Sequence, residues 1–237
     1  MFRVFILSVL ICIFTSSIYS ETDDSIWSNR DSAEGSKKAY EYYKELFGNE
    51  TNYENAWKFA RSAFYYADNY LQLNDMKKKI FSEAKIASEI ATNLEPEKVE
   101  GHYYLAICVG SLAEVSSIFE NLSVADIIIR ESTKVINTDP YFDDGGGYML
   151  RGRVYQMAPA IISVGDRQKA IKDYEKALEY GPDNRTLYRF YAELLMDFNR
   201  KKAAEIITRG LSIPPALEDV SQDHEEIKIL KNLQSKL

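Results

Sequence analysis

Chemistry that depends on an imidazole has two starting points in this chain, His102 and His224. His224-Glu225-Glu226 opens like the helical signature in which two histidines one turn apart hold zinc, but Lys228 stands where the second ligand belongs. The two histidines are far apart in sequence, and neither has a cysteine at metal-ligating spacing, so no metal site is expected. His102, between Gly101 and Tyr103, reads as a helix-start or packing residue rather than a base. No phosphate-cradling Gly-x-x-x-x-Gly-Lys run occurs, and no Gly-x-Ser-x-Gly. The run Asp143-Asp144-Gly145-Gly146-Gly147 could hold a cation or a carboxylate through its amides. A turn that needs positive φ is the better reading, because glycine permits one. Cys108 sits in the apolar stretch 103–109 and reads as a buried, inert thiol. Neither catalytic residues nor a cofactor are expected, and the chain reads as a binding protein rather than an enzyme.

The elements that position side chains come next. The chain has 237 residues, 29 basic and 36 acidic, for a formal charge of −7. That balance argues against nucleic acid as a partner, since such affinity comes mainly from phosphate neutralisation. A hydrophobic share of 46% is too high for a disordered chain, and 11 Gly with 6 Pro are too few for an all-β one. Residues 1–20 form a secretory signal pattern: basic Met1-Phe2-Arg3, an apolar run 4–14 broken by Ser8, then small polar residues. The apolar run is too short to span a bilayer, so export with cleavage after Ser20 is expected. Leu10 and Ile11 precede Cys12 where a lipoprotein signal wants small residues, so lipid anchoring at Cys12 is not expected. Residues 21–31 read as a loose polar leader, and 32–237 as a single helical-repeat domain.

From Ser32 onward apolar and small residues recur at spacings of three and four, the period of a helix. Thr51 with Glu54 makes a capping box. Helix ends are marked at Pro96, Pro140, Pro182 and Pro214-Pro215, spaced 44, 42 and 32 residues apart. Regular spacing in a helical chain calls for a test for repeats. Ala170, Tyr174, Ala177 and Pro182 match the second helix of a tetratricopeptide repeat in full. Ala84, Ser88, Ala91 and Pro96 match less well, Ala203, Ile207, Gly210 and Pro214 with one shift, and Ile128, Ser132, Val135 and Pro140 most weakly. Trp57, Ala60 and Phe64, then Gly152 and Tyr155, then Tyr188, Ala192 and Leu195 mark first helices. The fold class is therefore all-α, a tetratricopeptide-like helix-pair solenoid with a C-terminal capping helix. A lone helix is expected at 32–47. Pairs follow at 53–72 and 76–93, 97–118 and 122–137, 146–157 and 166–180, and 184–197 and 200–211. The capping helix spans 219–236.

The stretch 139–178 carries a more specific pattern. Asp139-Pro140, Gly145-Gly146, Gly152, Ala158-Pro159 and Gly165-Asp166 together resemble the periplasmic helical-repeat family associated with TRAP transporters, the T-component or TatT-like proteins. Gly147 and Met149 stand where family members often carry Pro and Arg. The resemblance implies a curled solenoid that forms a homotrimer around a pore. It also implies a bacterial periplasmic location, partnership with a periplasmic solute-binding protein and a pocket for a small organic ligand.

In a tetratricopeptide stack the first helix of each pair lines the concave face. The positions expected to be exposed there are Lys58, Ser62, Tyr65 and Tyr66, then Tyr103 and Ile107, then Met149, Arg153 and Gln156, and last Arg189 and Glu193. Two arginines beside aromatics would suit a carboxylate with an apolar body, or an acidic peptide tail. The other functional reading is a general envelope scaffold that binds a peptide or protein and has no transport role.

Overall fold

The computed structural model describes residues 25–116, 122–158 and 164–237, so the signal-like segment 1–20 and residues 21–24 of the leader lie outside it. A helical turn at 25–28 precedes ten helices among the described residues. They are α1 (Ala33–Asn49), α2 (Tyr53–Tyr70), α3 (Asn74–Leu94), α4 (Val99–Ser116), α5 (Leu122–Thr138), α6 (Gly146–Met157), α7 (Arg167–Tyr180), α8 (Arg185–Met196), α9 (Arg200–Ser212) and α10 (Val220–Gln234). Every helix expected from the sequence is present, with ends shifted by at most two residues where they are described. Three residues, 71–73, connect α2 to α3, as many as the expected bounds leave, and residues 117–121 and 159–163 lie outside the described residues. Among those residues no helix is long and apolar enough to cross a membrane.

Short polar side chains start the helices. Ser32, Asn52, Asp166, Asn184 and Asn199 each accept a hydrogen bond from a first-turn amide of the helix that follows. The expected Thr51–Glu54 capping box is thereby corrected. Asn52 caps α2, while the Thr51 hydroxyl turns back and donates to the Phe47 carbonyl at 3.2 Å, one of the orphan acceptors that end α1.

Small residues set the spacing of the helices. Ala170, Tyr174 and Ala177 are fully buried, as are Ala84, Ser88 and Ala91. Ser132 and Val135 are equally buried although their repeat pattern was the weakest. Gly152 faces Tyr174, and a Cβ there would lie 2.9 Å from the ring, so only glycine lets α6 approach α7 this closely. Three apolar clusters run along the molecule: one from α1 to α4 that also takes in Val135 of α5, one joining α4, α5 and α6, and one from α6 to α10. The capping helix α10 packs on α8 and α9 through Leu230 and Leu233, but it also buries Asp223 and Glu226.

The turn after α5 runs at positive φ through two aspartates and the first glycine, while Gly146 and Gly147 open α6. Asp143, Asp144 and Gly145 have φ of 49°, 50° and 76°. Asp143 accepts a hydrogen bond from the buried Tyr103 hydroxyl. Desolvation pushes its carboxyl above the usual range, and Asp144 and Asp219 add repulsion. Asparagine tolerates left-handed backbone and can accept the same bond. Asp143→Asn is therefore expected to raise Tm by about 1–2 °C at pH 7. Calorimetry of both proteins checks this, and a lower Tm would show that the charge itself is needed.

Candidate functional site

The pairs stack so that their first helices touch in order, α2 on α4, α4 on α6 and α6 on α8, whereas the second helices stand further apart. The crowded layer is the inside of a curl. The inner face is therefore built from α2, α4, α6 and α8, as the repeat reading expected.

On α2 the stripe that faces inward is Trp57, Arg61, Tyr65 and Asp68, spaced by helical turns. The Arg61 guanidinium lies between two indoles, 3.7 Å from the Trp27 ring centre and 4.8 Å from that of Trp57. Trp57 stacks on Tyr104 of α4 with rings 6.2 Å apart and nearly parallel. The result is a ladder of ring, ring, cation and ring, held by dispersion and by the attraction of a cation to π faces.

Trp27 and its neighbours were expected to be a loose leader, and for 25–31 the structure corrects this. Trp27 packs edge-on against Tyr43 and Tyr65. Asp31 accepts a 2.6 Å hydrogen bond from the Tyr65 hydroxyl. Arg30 is 4% exposed and reaches across the curl to Asp219 at 2.8 Å and Glu218 at 3.2 Å. Residues at the two ends of the described chain thus meet, and the curl is closed.

Farther along, Arg153 and Arg189 both lie against Phe190, each 4.2 Å from its centre. Arg153 pairs with Glu193 at 2.7 Å. Arg189 pairs with Glu226 at 2.5 Å and with Glu193 at 3.3 Å. Burial opposes the Arg189 charge, but the two glutamates more than offset that and hold its pKa above the ordinary arginine value. The two positive charges are met by two carboxylates of the same chain.

The expected contact positions divide accordingly. Arg153, Arg189 and Glu193 converge as one group. Gln156 is half-buried beside them and accepts the Tyr174 hydroxyl at 2.5 Å. Lys58 is half-buried and paired with Glu54 at 2.6 Å. Tyr66 stacks on Tyr40 of α1, and Ile107 is half-buried against the first apolar cluster. Four positions expected to be exposed are buried, namely Ser62, Tyr65, Tyr103 and Met149. Ser62 bonds within its own helix to the Phe59 carbonyl, Tyr65 lies beneath the 25–31 segment, Tyr103 is tied to Asp143, and Met149 packs beside Asn184. On α2 the observed and expected stripes share Tyr65, while Trp57 and Arg61 stand one position before the expected Lys58 and Ser62. Cys108 is buried as expected, and burial pushes its thiol pKa up.

Asp68, Glu114, Asp143 and Asp144 are exposed; Asp68 lies near Glu114, and Asp143 near Asp144 and Asp219. Protein surrounds Asp68 and Asp143 even so, and that desolvation raises both carboxyl pKa values. Carboxylates gather there, with Lys77 and Arg189 as the cations that face Asp68. Sequence reasoning missed Asp68, Arg61, Trp57 and Phe190 as inner-face residues. The spacing of Trp57 and Arg61 on one helix face was a signal that could have found those two. No group of histidine, cysteine and carboxylate side chains among the described residues is arranged to hold a metal ion.

Among solved structures the chain resembles TTC0263, a thermophilic TPR protein in Thermus thermophilus. The identity is 15%, over 83% of this chain and 91% of that one, with a TM-score of 0.60. It also resembles two structures of MamA. One is 17% identical over 82% of this chain and 91% of its own, the other 18% identical over 83% and 90%, both with a TM-score of 0.51. At these identities the likeness shows the fold, a tetratricopeptide-type helical solenoid. A search of curated proteins returned no match. The profile of the family described as Regulator of microtubule dynamics protein 1-3 matches residues 19–158, more than half of the chain. That span takes in the leader segment, the Arg61 ladder and the turn at Asp143, and the chain belongs to the regulator of microtubule dynamics protein 1-3 family.

Proposed function

We propose that this protein is a helical-repeat interaction scaffold whose inner face receives a basic, aromatic-containing segment of a partner protein. The family's name supports placing that role in the control of microtubule dynamics. The observation that carries the reading is the pairing of the aromatic ladder with the carboxylates gathered around Asp68 and Asp143. Aromatic faces supply contact area at low entropy cost, and the carboxylates of Asp68, Glu114 and Asp144 are exposed. An acidic tail is the poorer fit, because Arg153 and Arg189 are already neutralised by Glu193 and Glu226. No catalytic role is proposed.

The test is fluorescence polarisation of the full-length protein with labelled peptides that share one aromatic content and differ in net charge. Basic peptides are expected to bind, and to weaken as salt rises towards about 1 M, because exposed charges are then screened. Asp68→Lys with Glu114→Lys should weaken them at least tenfold without changing the circular dichroism spectrum. Equal affinity for acidic peptides would refute the reading.

A second reading has the run 139–178 behind it. In it the protein is exported through residues 1–20 and partners a periplasmic solute-binding protein of a TRAP-type transporter as a homotrimer holding a small organic ligand, apolar or a carboxylate. Native mass spectrometry separates the two. A trimer retaining such a molecule supports the transporter reading, and an empty monomer removes its basis.

A further inference from the structure

The seat filled by residues 26–31 has the chemistry of a recognition site. Arg61 and the flat faces around it select an aromatic ring, with the guanidinium 3.7 Å from the Trp27 centre. Glu218 and Asp219 select a cation placed three residues later, and they hold the buried Arg30 guanidinium by two separate nitrogens. The Tyr65 hydroxyl donates to a carboxylate one residue further on. These three contacts come from α2 and from the loop before α10, two parts of the chain that otherwise lie at opposite ends of the solenoid. Residues 26–31 reach them through a single helical turn and a short connection, while α1 begins independently with its own cap at Ser32. The segment can therefore leave without unravelling α1.

One further feature indicates that the resident segment is an imperfect occupant. The Arg61 Nε is buried, and among the described residues no acceptor meets it. A buried donor without a partner costs free energy, and an occupant that supplied an acceptor there would gain by comparison.

We propose that this seat recognises partner segments bearing an aromatic residue, an arginine three positions later and a carboxylate immediately after it, and that the protein's own Trp27-x-x-Arg30-Asp31 competes for the same place. The inference rests on the reading of the inner face as a protein-binding surface and names the sequence pattern that surface prefers. A tethered segment presents itself at an effective concentration on the order of millimolar, so a free competitor meets an apparent affinity much weaker than its intrinsic one.

The test uses a fluorescein-labelled peptide of residues 25–32 added to the full-length protein and to its Trp27→Ala/Arg30→Ala variant. The peptide should bind the variant at least tenfold more tightly than the unaltered protein. Peptides in which the tryptophan or the arginine is replaced by alanine should lose at least tenfold. Amide exchange on the unaltered protein should show residues 26–31 opening well before α2 and α8. Equal binding to both proteins, or exchange of 26–31 only on global unfolding, would overturn the proposal. So would a variant that fails to fold, because the segment would then be core and not a displaceable occupant. If basic aromatic peptides bind the inner face but the 25–32 peptide does not bind the variant, the seat proposal alone fails. If neither binds, the scaffold reading fails with it.

Discussion

Replacing Arg185 with alanine is expected to lower stability by about 3–5 kcal/mol, the cost of removing one partner of a buried ion pair. Arg185 is 5% exposed at the start of α8. Its Nε donates to the Gly210 carbonyl at 3.1 Å, and its Nη2 donates to Ile213 at 2.6 Å and Pro214 at 3.2 Å, all at or beyond the end of α9. The other arm pairs with Asp223 of α10. One guanidinium thus satisfies the carbonyls left open where α9 ends and fixes the helix that follows. Its loss strands those acceptors and leaves Asp223 buried with only the Ala216 amide as a donor, at 3.1 Å. Such a loss is a large fraction of the stability of an ordinary domain. Urea titration gives the total, and amide exchange should show α10 losing protection first. The double variant Arg185→Met/Asp223→Leu should recover part of the loss, since an apolar pair leaves no unmatched charge. A loss below about 1 kcal/mol in the single variant would mean that water replaces the guanidinium without cost.

The second large effect concerns His102, whose replacement by alanine should cost about 3 kcal/mol near pH 6, with two charge-assisted hydrogen bonds gone. The ring joins α4 to α5 and to the loop before α4. Nδ1 lies 2.5 Å from a Glu131 carboxylate oxygen and Nε2 lies 2.9 Å from the Pro96 carbonyl. Both neighbours are acceptors, so the doubly protonated ring fits the site. The hydrogen bond to Glu131 raises the His102 pKa, against the opposing effect of burial. Burial would raise the Glu131 pKa, but its bonds to His102 and Arg130 outweigh that and lower it. A folded-state histidine value above the unfolded one gives stabilisation that is full below about pH 6.5. It is lost as pH rises through the raised folded value. The glutamate contributes in the other direction. Its part is present above the unfolded glutamate value, about pH 4.3, and is lost as pH falls through the lowered folded one. The pair is therefore most stabilising between those limits. Stability measured against pH should decline above neutrality in the natural protein and show no such decline in His102→Ala. Parallel curves would show that His102 is neutral in the fold.

The sequence by itself determined the helices, their order and the way they pair. Those features are written in a period of 3.6 residues and in short-range signals, such as Pro182 after Ala170, Tyr174 and Ala177, and the structure keeps them within a turn of where they were read. It also placed first helices in the inner layer, because a tetratricopeptide stack puts the first helix of each pair on its concave face. Which side chains stand on the exposed inner surface was beyond it. Whether Arg153 meets a ligand or Glu193 depends on where α6 and α8 lie in space, forty residues apart in the chain. Tyr65 keeps its expected place on the inward side of α2 and is buried because residues 25–31 lie over it. The polar face of α10 was hidden for the same reason, since Asp223 and Glu226 look like solvated residues until Arg185 and Arg189 are brought beside them. The contact between Arg30 and Asp219 was least legible of all. It joins residues 189 positions apart through curvature that accumulates from one helix pair to the next, and no local pattern encodes where that sum will close. Only the tertiary structure decides that a polar, ordinary-looking leader becomes the occupant of the inner face.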